Sequence, residues 1–194
     1  MPQTITAPPA PALPNLIKWD ADSYENLYSM GLLEHGKYEL LEGDIVQKMA
    51  IKNAHALIVT LLFSYLLRFC TPRTLRSAFT LAVGVRSEPE PDFAVLFTES
   101  PTLTERGYVQ PDNVRLVVEV GDSTVASDIS TKSAIYAGAG IPEYWVIDVT
   151  GRRLLVHTAP VAGAYSSVLE YDETESVAPT FAPTETTPVS ALLS

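Results

Sequence analysis

RLVVEVGDSTVASDISTKSAIYAGAGIPEYWVID, residues 115–148, is the stretch on which the fold turns. Leu116 to Val120 is an almost continuous β-branched run, the pattern of a strand covered on both faces, yet Glu119 sits inside it. An ionised carboxylate among apolar neighbours is costly unless a cation or hydrogen bonds compensate it. The search for that cation organises the rest of the chain.

Two cations fit. Downstream, Ser127 or Asp128 can cap a helix running to about Ala139, stopped by Gly138 and Gly140 with Pro142 beyond. Ile129, Lys132, Ile135, Tyr136 and Ala139 fall at spacings of three and four, which turns Lys132 inward. The other cation is a metal ion. Asp92 follows Pro91 and heads the apolar run Phe93 to Phe97, so Asp92, Glu119 and the Val120 carbonyl make a hard, all-oxygen set of the kind magnesium or manganese takes.

Working outward, Asp20 or Asp22 caps a short helix with Tyr24, Leu27, Tyr28 and Leu32 on its apolar face. Lys37 to Leu41 and Asp44 to Met49 form a hairpin through Glu42-Gly43. Taken alone, Glu39 and Glu42 read as solvated acids beside that turn. Asn53 caps a helix from about Ala54 to Phe69 that is apolar nearly all round, which predicts a buried, central helix. His55 lies in its first turn, where the helix dipole opposes an imidazolium, so a neutral, hydrogen-bonded side chain is expected. Ser77 to Val85 reads as a strand and Thr98 to Asn113 as a long polar loop. Tyr144 to Asp148 and Arg152 to His157 form a hairpin through Thr150-Gly151, and Ala164 to Tyr171 adds an edge strand. Pro188 starts a last helical turn that docks Leu192 and Leu193.

At 194 residues and 46% hydrophobic content the chain reads as one domain, residues 15–194, behind a flexible Pro-rich arm over residues 1–14. The lone Cys70 excludes an intramolecular disulfide and suits a reducing cytoplasm, and nothing near it in sequence would make it a nucleophile. The longest apolar run, Ala56 to Leu67, is too short for a bilayer, which needs roughly 20 residues, so no membrane partner is expected. A formal charge of −10 argues against a general nucleic-acid binder, although a metal ion and a local patch of Arg68, Arg73 and Arg76 can offset it at one face. No GxGxxG, P-loop or CxxC pair occurs, so dinucleotide binding, P-loop chemistry and structural zinc have no support.

Tyr38-Glu39-Leu40-Leu41-Glu42-Gly43-Asp44, then His55, Pro91-Asp92, Val117-Val118-Glu119-Val120, Asp128, Lys132, Tyr136 and Gly140-Ile141-Pro142-Glu143-Tyr144-Trp145-Val146-Ile147-Asp148 together resemble the Uma-two family, over roughly Leu27 to Tyr171. The resemblance implies an α/β (α+β) fold, a restriction-endonuclease-like mixed β-sheet flanked by helices, of the PD-(D/E)XK superfamily. It implies a magnesium-dependent (or manganese-dependent) endonuclease hydrolysing phosphodiester bonds of nucleic acid, DNA foremost, and a homodimer. By position, Asp92 and Glu119 resemble the metal-binding acids, and Lys132 resembles a catalytic lysine moved from strand to helix. Glu39, with Glu42 kept open, resembles an additional acid, and His55 the helix-opening histidine. Where many relatives carry a Ser-Pro-Ser-Thr run, this chain has Gly121-Asp122-Ser123-Thr124. A catalytically silent binding module and a small-substrate phosphohydrolase are the alternatives.

Overall fold

The computed structural model describes residues 16–50, 53–122 and 124–193; the expected arm over residues 1–14 lies outside them. Helix α1 spans Ala21–Ser29, and Asp20 caps it by accepting a 2.8 Å hydrogen bond from the Ser23 N–H. Strands β1 (Tyr38–Leu41) and β2 (Asp44–Gln47) pair as the expected hairpin. Glu42 and Gly43 both take positive φ, +49° and +82°, which matches the twist of a tight antiparallel turn.

A six-stranded sheet forms the body, in the order β3 (Leu75–Arg76), β4 (Phe93–Leu96), β5 (Val114–Gly121), β6 (Glu143–Asp148), β7 (Arg153–Val161) and β8 (Ala164–Asp172). Only β5 and β6 run parallel. A parallel pair needs a crossover, and the helical stretch Val125–Gly138 supplies it. That stretch comprises α3 (Val125–Ser127), a π-helical turn (Asp128–Lys132) and α4 (Ser133–Gly138).

Period-two alternation divides the strands between two cores. Phe93, Val95, Leu116, Val118 and Trp145 pack on the side of helix α2 (Asn53–Leu66), together with the closing turn α5 (Ser190–Leu193). Ala94, Val117, Tyr144 and Val146 pack on the other side, with Ile135 and Tyr136 of α4. The carboxyl-terminal segment is tied down by Glu143, fully buried, which accepts hydrogen bonds from Trp145 Nε1 (2.7 Å) and from the Thr180 N–H (2.9 Å) and hydroxyl (2.6 Å).

Four expectations are corrected. The α2 helix is not buried all round: Ile58, Leu62, Tyr65 and Leu66 face the sheet, while Leu57, Phe63 and Leu67 are exposed. A single layer lies under it, so only one stripe can be covered. No long strand spans Ser77 to Val85; positive φ at Ala78 (+51°) breaks the extension, and only isolated bridges form at Leu81 and Val83. The crossover helix starts at Val125, ahead of Ser127 and Asp128, neither of which caps it. Pro188 belongs to a two-residue strand pair, and the final helical turn begins after it at Ser190.

Candidate active site

The β4–β5 register pairs Phe93 with Val118 and Ala94 with Val117, which brings Asp92, the residue just before β4, and Glu119 to the same end of the strand pair. Both line a cleft of about 310 Å³ together with Glu39, His55, Val120, Asp128 and Lys132. The separate elements named from sequence therefore converge.

Each acid is held by its own partners. Asp92 Oδ2 accepts from the Val120 N–H at 2.7 Å, and Oδ1 lies 3.0 Å from His55 Nε2. Glu119 Oε1 accepts from both Lys132 Nζ (3.0 Å) and the Tyr136 hydroxyl (2.7 Å). Lys132 also donates to Glu39, 3.2 Å from Oε1 and 3.1 Å from Oε2. Glu39 and Glu119 are each 4% exposed and Lys132 8%, so the ammonium bridges two carboxylates away from water.

Electrostatics follow from that burial. Desolvation pushes the Glu119 carboxyl up to about 8, although Lys132 pulls the other way. Burial alone would depress Lys132, but Glu119 and then Glu39 outweigh it and hold the ammonium above its ordinary value. The hydrogen bond to Asp92 raises His55 against its partial burial, with the Val120 carbonyl adding to the effect. The hydrogen-bonded histidine expected from sequence has its partner in Asp92 at 3.0 Å, and that carboxylate favours the imidazolium where the helix dipole opposes it.

Glu39, not Glu42, is the hairpin acid brought to this centre. Strand alternation points Glu39 inward to Lys132, whereas Glu42 sits exposed at the turn. Sequence reading of the residues in isolation had Glu39 as solvated, because its burial depends on a helix far along the chain.

Two site residues escaped the sequence reading. Asp128, 2% exposed, accepts a 2.8 Å bond from the Thr124 hydroxyl, and burial raises its pKa against the pull of Lys132. Tyr136 was placed only on the inward stripe, with no partner assigned. The wide π-turn, a device frequent at functional sites, carries both Asp128 and Lys132 buried at its two ends. Its close approach to β5 explains Gly121: a Cβ there would come within 2.7 Å of Val125 Cγ2 and 2.9 Å of Asp128 Oδ2.

The arginine patch is not at this cleft. His55 opens α2 beside Asp92, whereas Arg68 lies past its far end, about 20 Å away at 1.5 Å per residue. Arg68 pairs with Glu185 and Arg73 with Glu99, while Arg76 donates to the Arg73 and Leu75 carbonyls.

The donor chemistry suits a hard divalent ion. Asp92, Glu119 and the Val120 carbonyl offer oxygen only, and Glu119 Oε2 is left clear of the bonds that hold Oε1. Among the described residues no three His, Cys, Asp or Glu side chains close into a finished cage. An ion here would complete its shell with water, as magnesium commonly does.

A mixed six-stranded sheet flanked by helices is a restriction-endonuclease-like fold. The crystal structure of "a putative nuclease belonging to DUF820" from Anabaena variabilis has the same fold, with a TM-score of 0.71 and 16% sequence identity over 90% of this chain and 97% of that one. The family model Uma2, described as "Putative restriction endonuclease", matches residues 21–189, and the chain belongs to that family. No curated protein matches it. No helix among the described residues is long and apolar enough to cross a membrane.

Proposed function

We propose that this protein is a metal-dependent endonuclease that hydrolyses phosphodiester bonds of nucleic acid, with DNA as the first substrate class to test. The observation that carries the reading is that Asp92 and Glu119, with Lys132 bonded to Glu119, line one cleft. Asp92, Glu119 and the Val120 carbonyl would hold magnesium or manganese. Such an ion, when bound, supplies Lewis acidity at the phosphate and a water of lowered pKa.

The chain's own groups account for the remainder. Lys132 has three N–H donors, and those not taken by Glu39 and Glu119 are available to a water or a phosphate oxygen as negative charge grows. His55, oriented by Asp92 and lining the cleft, can take or return a proton. Glu39 shares the ammonium and so limits where Lys132 can swing.

A second reading has an observation of its own. Among the described residues seven carboxylates line the cleft, Glu39, Asp44, Glu90, Asp92, Glu119, Asp122 and Asp128, against Lys48 and Lys132, and Lys48 is paired with Glu90 at 2.8 Å. That balance repels a polyanion and favours a small phosphate ester carried in with its metal. Plasmid, single-stranded DNA, RNA and a chromogenic phosphodiester, each with Mg²⁺ or Mn²⁺, test both readings against Asp92→Ala and Glu119→Ala. Cutting of a polynucleotide lost in both variants supports the endonuclease; turnover of the small ester alone replaces it; no turnover of any substrate leaves a silent binding module.

A further inference from the structure

We infer that Tyr136 is a positioning residue that restricts Glu119 to one-oxygen coordination, and thereby sets which divalent ion the site prefers. The inference rests on the metal-site reading above and concerns a residue to which that reading gives no role.

The geometry is specific. Two donors from successive turns of one helical stretch, Lys132 Nζ at 3.0 Å and the Tyr136 hydroxyl at 2.7 Å, meet the same oxygen of Glu119. A carboxylate oxygen has two lone pairs, so these two bonds use up Oε1. Only Oε2 remains to a ligand. Tyr136 is completely buried, with its ring 4.9 Å from that of Tyr144, so the hydroxyl cannot swing away to release the oxygen. Lys132, by contrast, divides its donors between Glu39 and Glu119 and does not fix the carboxylate alone.

One oxygen per carboxylate matters because ions differ in what they accept. Calcium takes six to eight oxygens and readily binds a carboxylate through both, whereas magnesium wants six at near-octahedral angles and is served by single oxygens and waters. A Glu119 limited to Oε2 disfavours calcium. With phenylalanine at position 136, one lone pair of Oε1 is freed while the ring and the Lys132 bond stay. Glu119 could then chelate.

Calorimetric titration of Mn²⁺, Mg²⁺ and Ca²⁺ into wild type, Tyr136→Phe and Tyr165→Phe, without substrate, tests this. Tyr165 also loses a buried hydroxyl bond on mutation, to the Ile141 carbonyl at 3.0 Å, but it lies outside the cleft and controls for general loosening. The preference for Mn²⁺ over Ca²⁺ should narrow by about tenfold in Tyr136→Phe, the lower end of what partners of metal ligands contribute, and should stay as in wild type in Tyr165→Phe. An unchanged ratio in Tyr136→Phe, or an equal narrowing in Tyr165→Phe, overturns the inference while leaving the metal site standing. Absence of Mn²⁺ binding by wild type overturns the metal site and this inference together. Infrared difference spectra of wild type on Mn²⁺ addition, corrected with Glu119→Ala, give a readout that needs no folded Tyr136 variant. A one-oxygen carboxylate signature supports the assignment, and a chelating signature refutes it.

Discussion

Asp92, the residue just before β4, accepts a 2.7 Å hydrogen bond from the N–H of Val120, the neighbour of Glu119 on β5, and the two carboxylates are anchored from different layers. Asp92 is held by a strand N–H and by His55 of α2, Glu119 by Lys132 and Tyr136 of the crossover helix. Replacing Asp92 by alanine leaves the Val120 N–H without its acceptor and should cost about 1–3 kcal/mol in urea denaturation. The same variant should show no heat on Mn²⁺ titration. Retention of full Mn²⁺ affinity would remove Asp92 from the metal site.

Lys132→Met leaves Glu39 and Glu119 facing each other around a missing cation. Breaking a buried pair from one side costs roughly 3–5 kcal/mol. The loss should depend on pH in a definite direction. Glu119 already has a folded pKa raised to about 8 from its ordinary 4.5, and losing the ammonium moves it higher. An acid with a raised folded pKa binds its proton more tightly when folded, so wild type and variant alike lose stability as pH rises from 4.5 to their folded Glu119 values. Denaturation midpoints of variant and wild type should therefore run parallel between pH 4.5 and about 8 and diverge above about 8, where wild-type Glu119 has ionised and the variant's has not; no added divergence above about 8 contradicts the buried-carboxylate account.

The two buried or half-buried histidines should titrate on opposite sides of 6.5. Asp92 raises His55, so its stabilising contribution is complete below 6.5 and is lost as pH climbs through the folded value. His157 is 2% exposed, its Nδ1 has no partner, and burial lowers its pKa. The folded state then resists a proton that the unfolded chain accepts, and stability falls as pH drops below 6.5. Imidazole proton shifts followed by NMR resolve the two, and Asp92→Asn should bring His55 down while leaving His157 where it is.

Gly121→Ala and Gly138→Ala should have opposite signs. A Cβ at residue 121 meets Val125 and Asp128 inside 3 Å, so the π-turn must shift, at about 1–3 kcal/mol. At Gly138 nothing lies within 4 Å and φ is not positive, so alanine should stabilise by about 0.4–1 kcal/mol. Thermal melts of the two single variants decide it. Weaker Mn²⁺ binding should accompany only the first, because the displaced turn carries Lys132, which holds Glu119.

The half-exposed α2 helix has its own test. Leu62→Ala opens a void under the sheet and should cost about 2–5 kcal/mol. Leu57→Lys, at a site 47% exposed, should change stability by no more than about 0.5 kcal/mol. Equal losses would mean that the outer face is covered.

Much of this could be read locally. The β5 run, the Asp20 cap, the Glu42-Gly43 and Thr150-Gly151 turns and the inward Lys132 all follow from patterns a few residues long, and each has its counterpart in the structure. The anomaly of Glu119 was equally visible, since one charged residue in a β-branched run demands a partner. The exposure of Leu57 and Phe63 was not, because composition reports how apolar a helix is and not how many layers cover it. The strand expected over Ser77 to Val85 was not legible as broken either: its alternation is real, but Ala78 takes a positive φ that no local pattern announces.

Local periodicity was enough to give most of the elements and the need for a cation at Glu119. Tertiary packing determined who answers that need: Lys132, shared with Glu39 from a distant hairpin, and Tyr136 on the same oxygen. It also brought Asp92 and Glu119 to one cleft and bound His55 to Asp92. The reason is one of range. Dihedral preference and burial pattern act over a few residues, whereas strand register and the meeting of two layers depend on how separate segments pack, which no single segment contains.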